Sequence, residues 1–252
     1  MRSLCLLAAL CSPLAMAQSI SVESHSLMRL PSNNSVLRLD RLEVADGATL
    51  LVPAGVTEMR VDQLKLGREA RIAITPSPTA FIFVVKQSEL ASGSQISTRG
   101  APGSFEKPAL PGRNLTLRLE HLNAETLSVD ARGGTGAPGY VGLDGGNGQE
   151  PGCTWGQAGR GFDGDRGGNG HEGAAGGQVR LEVPLDFAAE RIKVLVDGGA
   201  GGAPGVGGQG GKGGESKGCF VYRADGGKSG RTGDAGQPGG KGPAGSVTVQ
   251  RL

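Results

Sequence analysis

Two cysteines, Cys153 and Cys219, are the residues best placed for covalent chemistry, and each lies in a short insert with aromatic and charged neighbours. The inserts read Gln149-Glu150-Pro151-Gly152-Cys153-Thr154-Trp155 and Gly218-Cys219-Phe220-Val221-Tyr222-Arg223. An even pair of cysteines in an exported chain predicts a disulfide, because oxidising compartments permit the bond. Aromatic residues make up only 4% of the chain, yet Trp155, Phe162, Phe220 and Tyr222 cluster in or beside these inserts. Aromatics and an arginine, Arg223, held at a rigid tip would make a recognition surface. The competing reading is an apolar plug in which the rings pack over the disulfide.

Other chemistry is poorly supported. His25, His121 and His171 are scattered without metal-ligand spacing. Gly214-Glu215-Ser216-Lys217-Gly218 matches G-x-S-x-G, but it lies in a glycine-rich stretch without the strand-turn-helix setting of a nucleophile elbow. Gly227-Lys228-Ser229 ends like a phosphate loop, yet Tyr222 stands where that loop needs its first glycine. Asp163-Gly164-Asp165-Arg166-Gly167-Gly168-Asn169 lacks the glutamate of a calcium-binding hand, and its acids are expected to be solvated. The expectation is a protein that is not an enzyme and has neither metal nor cofactor. A net charge of +2 with dispersed basic residues gives no nucleic-acid footprint.

The elements that must position the inserts are unusual. Of 47 glycines, only those at 47, 55, 67, 93, 100, 103 and 112 precede residue 132. Beyond it, glycine recurs every third residue over 133–148, 161–176, 199–214 and 227–245. A duplication is visible: Leu115-Thr116-Leu117-Arg118-Leu119 recurs as Val179-Arg180-Leu181-Glu182-Val183, and Ala137-Pro138-Gly139 as Ala203-Pro204-Gly205. Period three is that of the polyproline II helix, whose N–H and C=O groups must find partners outside their own strand.

On these triplets, residues 133–245 resemble the polyglycine II bundles of the snow-flea type antifreeze protein and the glycine-rich tip adhesins of T-even-like phage tail fibres. The resemblance implies four runs folded back on one another. In the adhesins, loops between the runs contact the receptor, which implies the same place here, with Trp155, Phe162, Phe220, Tyr222 and Arg223 as tip residues. Collagen-like Gly-X-Y pairing in a trimer is the alternative architecture. An ice-binding face would want small, mildly apolar side chains, whereas Asp144, Arg166, Glu172, Lys212 and Lys241 occupy the positions between glycines.

The region before the triplets reads as many short strands, from Val36-Leu37 through Val84-Val85, separated by Gly, Pro and Asp. Their spacing near 20 residues fits coils of a β-solenoid, with a sandwich as the competing form. Ser92 to Arg113 reads as a loop. Arg2, the apolar run Leu4 to Leu14 and Ala15-Met16-Ala17 form a secretory signal, residues 1–17. The expected organisation is therefore a β-rich domain over 18–113 and a duplicated glycine-triplet domain over 114–252. The expected fold is mostly β, a solenoid-like or sandwich base carrying a four-run antiparallel polyglycine II bundle. The functional expectation is an exported structural or adhesive protein at the periplasm, cell surface or exterior. A surface receptor, polysaccharide or matrix component would be its partner, with no nucleic acid and no transmembrane segment. A trimeric matrix protein, an ice-binding protein and a carbohydrate-binding accessory module are the alternatives.

Overall fold

A computed structural model of the chain describes residues 18–153 and 156–252; the expected signal segment and Trp155 lie outside them. The chain winds in coils, each laying down a longer strand and then a short one. The first coils are β1 (Ser19–Val22) with β2 (Leu27–Arg29), β3 (Val36–Val44) with β4 (Thr49–Val52), and β5 (Glu58–Leu66) with β6 (Arg71–Ile74). Then come β7 (Phe81–Leu90) with β8 (Ser94–Ser97), β9 (Leu115–Ala124) with β10 (Leu127–Asp130), and β11 (Val179–Val183) with β12 (Ile192–Leu195). A small hairpin, β13 (Lys217–Gly218) and β14 (Arg223–Ala224), precedes the last strand, β15 (Val247–Arg251). The longer strands form a seven-stranded sheet and their shorter partners a six-stranded one, with every neighbouring pair parallel. Ser19 lies beside Arg41 and Arg41 beside Gln63, a step of 22 residues.

Alternation explains why these segments become strands. In β4 and β6 every second side chain is buried, so Leu50, Val52, Ile72 and Ile74 stack in rows inside the coil. Burial of each such side chain contributes about 1.5–3 kcal/mol. In β3 the alternation breaks at Asp40-Arg41, where two successive residues face out, and β7 repeats the break at Lys86-Gln87. The long sheet turns a corner at this point, and Lys86 pairs there with Asp62 at 2.8 Å. At the turn after it, His25, Gly47, Glu69 and Gly93 stand one above another, all with φ between 55° and 73°. The His25, Gly47 and Glu69 N–H groups donate to the carbonyls of Asp46, Arg68 and Ser92 in the next coil.

The remaining side of the coil grows as the solenoid proceeds. Between β8 and β9 the chain runs out over 98–104 and back over 108–113. Between β10 and β11 it runs out over 131–148 and back over 159–177, and between β12 and β15 it does so over 197–214 and 226–245. Outward runs of successive coils lie parallel: Gly100 N–H donates to Arg132 O, and Gly136, Gly139 and Gly142 donate to Ala200, Ala203 and Val206. Returning runs are parallel too, with Gly112 N–H on Ala175 O and Gly164 on Arg231 O. Outward and returning runs are antiparallel, with Gly168 N–H on Tyr140 O and Gly205 on Gly168 O.

This overturns the expected fold class, a base carrying a four-run antiparallel polyglycine II bundle. The fold is almost entirely β, organised by parallel sheets of seven and six strands. Parallel pairing also excludes the sandwich. The glycine runs are elongated sides of the coils, so runs of successive coils inherit the parallel direction of the strands. Ser92 to Arg113 is likewise no simple loop, since it contains β8 and two short glycine runs. Arg113 is buried, stacks over Phe81 at 5.2 Å and donates to the carbonyls of Val56, Thr75 and Thr79, joining three turns of chain. Burial lowers its pKa.

Two outcomes follow from the glycines and the left-handed column. A Cβ on Gly205 would overlap the carbonyl of Tyr140, whereas one on Gly240 would meet nothing within 4 Å. Gly205→Ala is expected to cost about 3 kcal/mol in chemical denaturation, and Gly240→Ala to be neutral or stabilising by up to about 1 kcal/mol; equal effects would refute the close-contact account. Relieving the left-handed φ of 55° at Glu69 by Glu69→Gly is expected to raise stability by about 1 kcal/mol, read as a higher denaturation midpoint.

Candidate recognition surface at the excursion tips

The two long excursions reverse at the same level because their runs are in parallel register. The first outward run ends at Gln149, and Gly159 N–H donates to Gln149 O at 2.7 Å to start the return. Gly156, at φ 107°, supplies a backbone conformation that other residues rarely adopt. The second reversal is the hairpin β13–β14, with Lys217 opposite Ala224 and Gly218 opposite Arg223. Cys219 N–H donates to Tyr222 O at 2.8 Å and closes a four-residue turn.

Two crosslinks join the tips. Cys153 and Cys219 form a disulfide with their Cα atoms 5.6 Å apart. Tyr222 donates its hydroxyl proton to Gly152 O at 3.0 Å. The turn between them presents Phe220 and Val221 almost completely to solvent, and Tyr222 and Arg223 are also exposed. Phe220 therefore does not cover the disulfide. Phe162 belongs to the shaft below the tip. Its backbone N–H donates to Gly146 O and its carbonyl accepts from Gly211, while its ring stays exposed on the face formed by the first excursion. The structure thus brings Cys153, Cys219, Phe220, Tyr222 and Arg223 together and leaves Phe162 beside them.

The acids of the triplets have a structural task that sequence reading missed. Asp144 and Asn147 accept the N–H groups of Gln209 and Lys212 at 2.6 and 2.9 Å, and Asp163 and Asn169 accept those of Arg231 and Gln237 at 2.8 and 2.9 Å. Each short Asx side chain reaches sideways to the parallel run and satisfies an N–H between glycine rungs. The Arg231 N–H, with the charges of Arg160 and Arg231, holds the Asp163 carboxyl below its ordinary range. The recurring signal was Asx two residues after a triplet glycine, at Asp144, Asn147, Asp163 and Asn169.

Cleaving the disulfide is expected to loosen the tips before the coils. Closing a 66-residue separation stabilises by on the order of 4 kcal/mol in the chain-entropy account. Cys153→Ser should raise hydrogen exchange at Gly148 and Gly214 while Leu42 and Phe83 remain protected; uniform loss of protection would refute this local role. Among the described residues, no helix is long and apolar enough to cross a membrane. No family model matches the chain, and neither curated proteins nor solved structures match it.

Proposed function

We propose that this is an exported adhesive protein that uses its coils as a base, its glycine runs as a shaft and the disulfide-linked tip as the recognition surface. The observation that carries the reading is the presentation of Phe220 and Val221 in solvent on a turn held by three constraints. These are the Cys153–Cys219 bond, the Cys219–Tyr222 backbone hydrogen bond and the Tyr222 hydroxyl contact with Gly152. A turn fixed in place loses little entropy when a partner covers it. Tyr222 and Arg223 flank the apolar pair and belong to the residue types that dominate binding energy at interfaces. A receptor surface with an apolar patch beside an acidic group would fit this arrangement.

Export agrees with the disulfide and with the signal-like residues 1–17. The collagen-like alternative loses support because the rung N–H groups that a triple helix would need already donate within the chain.

Binding of the full chain to arrays of glycans, matrix proteins and whole cells tests the reading. Phe220→Ala with Tyr222→Ala is expected to weaken the strongest interaction by roughly tenfold or more with the melting temperature retained. Undiminished binding by a folded double variant would place recognition elsewhere.

A further inference from the structure

Most outer arginines and lysines of the long sheet are ion-paired, with Arg38 and Arg251 as exceptions among the described residues. On the long sheet, Arg41 pairs with Glu43, Lys65 with Glu43, Lys86 with Asp62, and Arg180 with Glu182. On the short sheet, Arg71 of β6 stands between Thr49 of β4 and Gln95 of β8, with no acid beside it on the ladder. Arg99 follows β8 by two residues. Both arginines are exposed, and neither makes an ion pair among the described residues. The acid at the end of β10, Asp130, is buried and accepts from the backbone and guanidinium of Arg132 at 2.8 to 3.1 Å. Against the desolvation of burial, these bonds and the charge of Arg132 lower its pKa, and the charge of Arg99 adds to them without an ion pair forming.

Arg71 and Arg99 border an open groove of about 580 Å³ where the short sheet meets the roots of the excursions. Its lining interleaves the hydroxyls of Thr75, Ser97 and Thr135 with the apolar surfaces of Leu51 and Pro102. Arg71 donates to the Ser97 hydroxyl at 3.4 Å, and both side chains line the groove. A guanidinium fork matches a carboxylate in charge and geometry. Scattered hydroxyls match ring hydroxyls, and small apolar surfaces match the C–H faces of a sugar. The groove is too open to anchor a single apolar side chain, so its composition favours a ligand that is polar along its length and anionic at intervals.

We propose that this groove binds an acidic polysaccharide of the uronate class through Arg71 and Arg99. The site lies at the roots of the excursions, a shaft's length from Phe220, so it stands apart from the tip reading and extends it to a second contact. Isothermal titration of the full chain with an oligogalacturonate, a neutral galactan oligosaccharide and an oligoglutamate provides the test. The oligogalacturonate is expected to bind and the other two to bind far more weakly. Arg71→Gln with Arg99→Gln should weaken binding roughly tenfold or more, whereas Phe220→Ala and the charge-matched control Arg166→Gln with Arg231→Gln should leave it unchanged. If the double groove variant melts at a lower temperature, Arg99→Gln alone, outside the strands, is expected to show several-fold weakening. Absence of binding, equal binding of oligoglutamate, or equal loss in the control variant would overturn the proposal.

Discussion

The absence of a Cβ at every third residue is the constraint on which the outer half of this molecule depends. At Gly142, Gly167 and Gly208, an added Cβ would overlap a carbonyl or amide of a neighbouring run. Only bare backbone permits such an approach, and that approach brings glycine N–H groups within 2.7 to 3.0 Å of carbonyls across the shaft. The runs 159–177 and 197–214 occupy the middle, each bonded to the other and to both outer runs. The shaft therefore has an interior made of peptide groups, while apolar burial remains the business of the coils. Ordering glycine costs ~1–2 kcal/mol per residue in backbone entropy. The regular rungs, the Asx acceptors and the tip disulfide act together against that cost.

Coils and shaft are one continuous construction. Leu115 pairs with both Phe81 and Val179, so strands on either side of residue 113 share a sheet. A coil side of a few residues between β4 and β5 becomes a short pair of glycine runs after β8 and two long pairs thereafter. Arg113 stands where this lengthening begins. Its buried guanidinium has carbonyl partners in place of an acid, so it ties earlier turns to the first glycine run without requiring a second buried charge.

Much of the local structure was legible in the residues. Leu50, Val52, Ile72 and Ile74 alternate with outward residues, which is the strand signal in its plain form, and an even pair of cysteines suggested the Cys153–Cys219 bond. Direction was not legible, because a glycine triplet donates equally well to a parallel or an antiparallel neighbour. The expected bundle was wrong because parallel sheets of seven and six strands organise the whole fold, and the runs are sides of their coils. Arg113 was hidden because an arginine among Gly, Pro and Ser reads as surface loop. Glu69 gave no sign of its left-handed backbone, since its conformation is imposed by the coils stacked on either side. At the tip, the aromatic inserts were visible in sequence, whereas the turn that turns Phe220 outward depends on the Cys219–Tyr222 bond.

The direction of the rungs has a mechanical meaning. They cross the shaft roughly perpendicular to its length, so a pull on the tip along that length would strain all rungs of a run at once. A pull to the side would instead open them one after another from the tip. The disulfide lies at the end where such peeling would begin and locks the two excursions together there. The molecule thus has a strong axis and a weak one, and the Cys153–Cys219 crosslink guards the weak one.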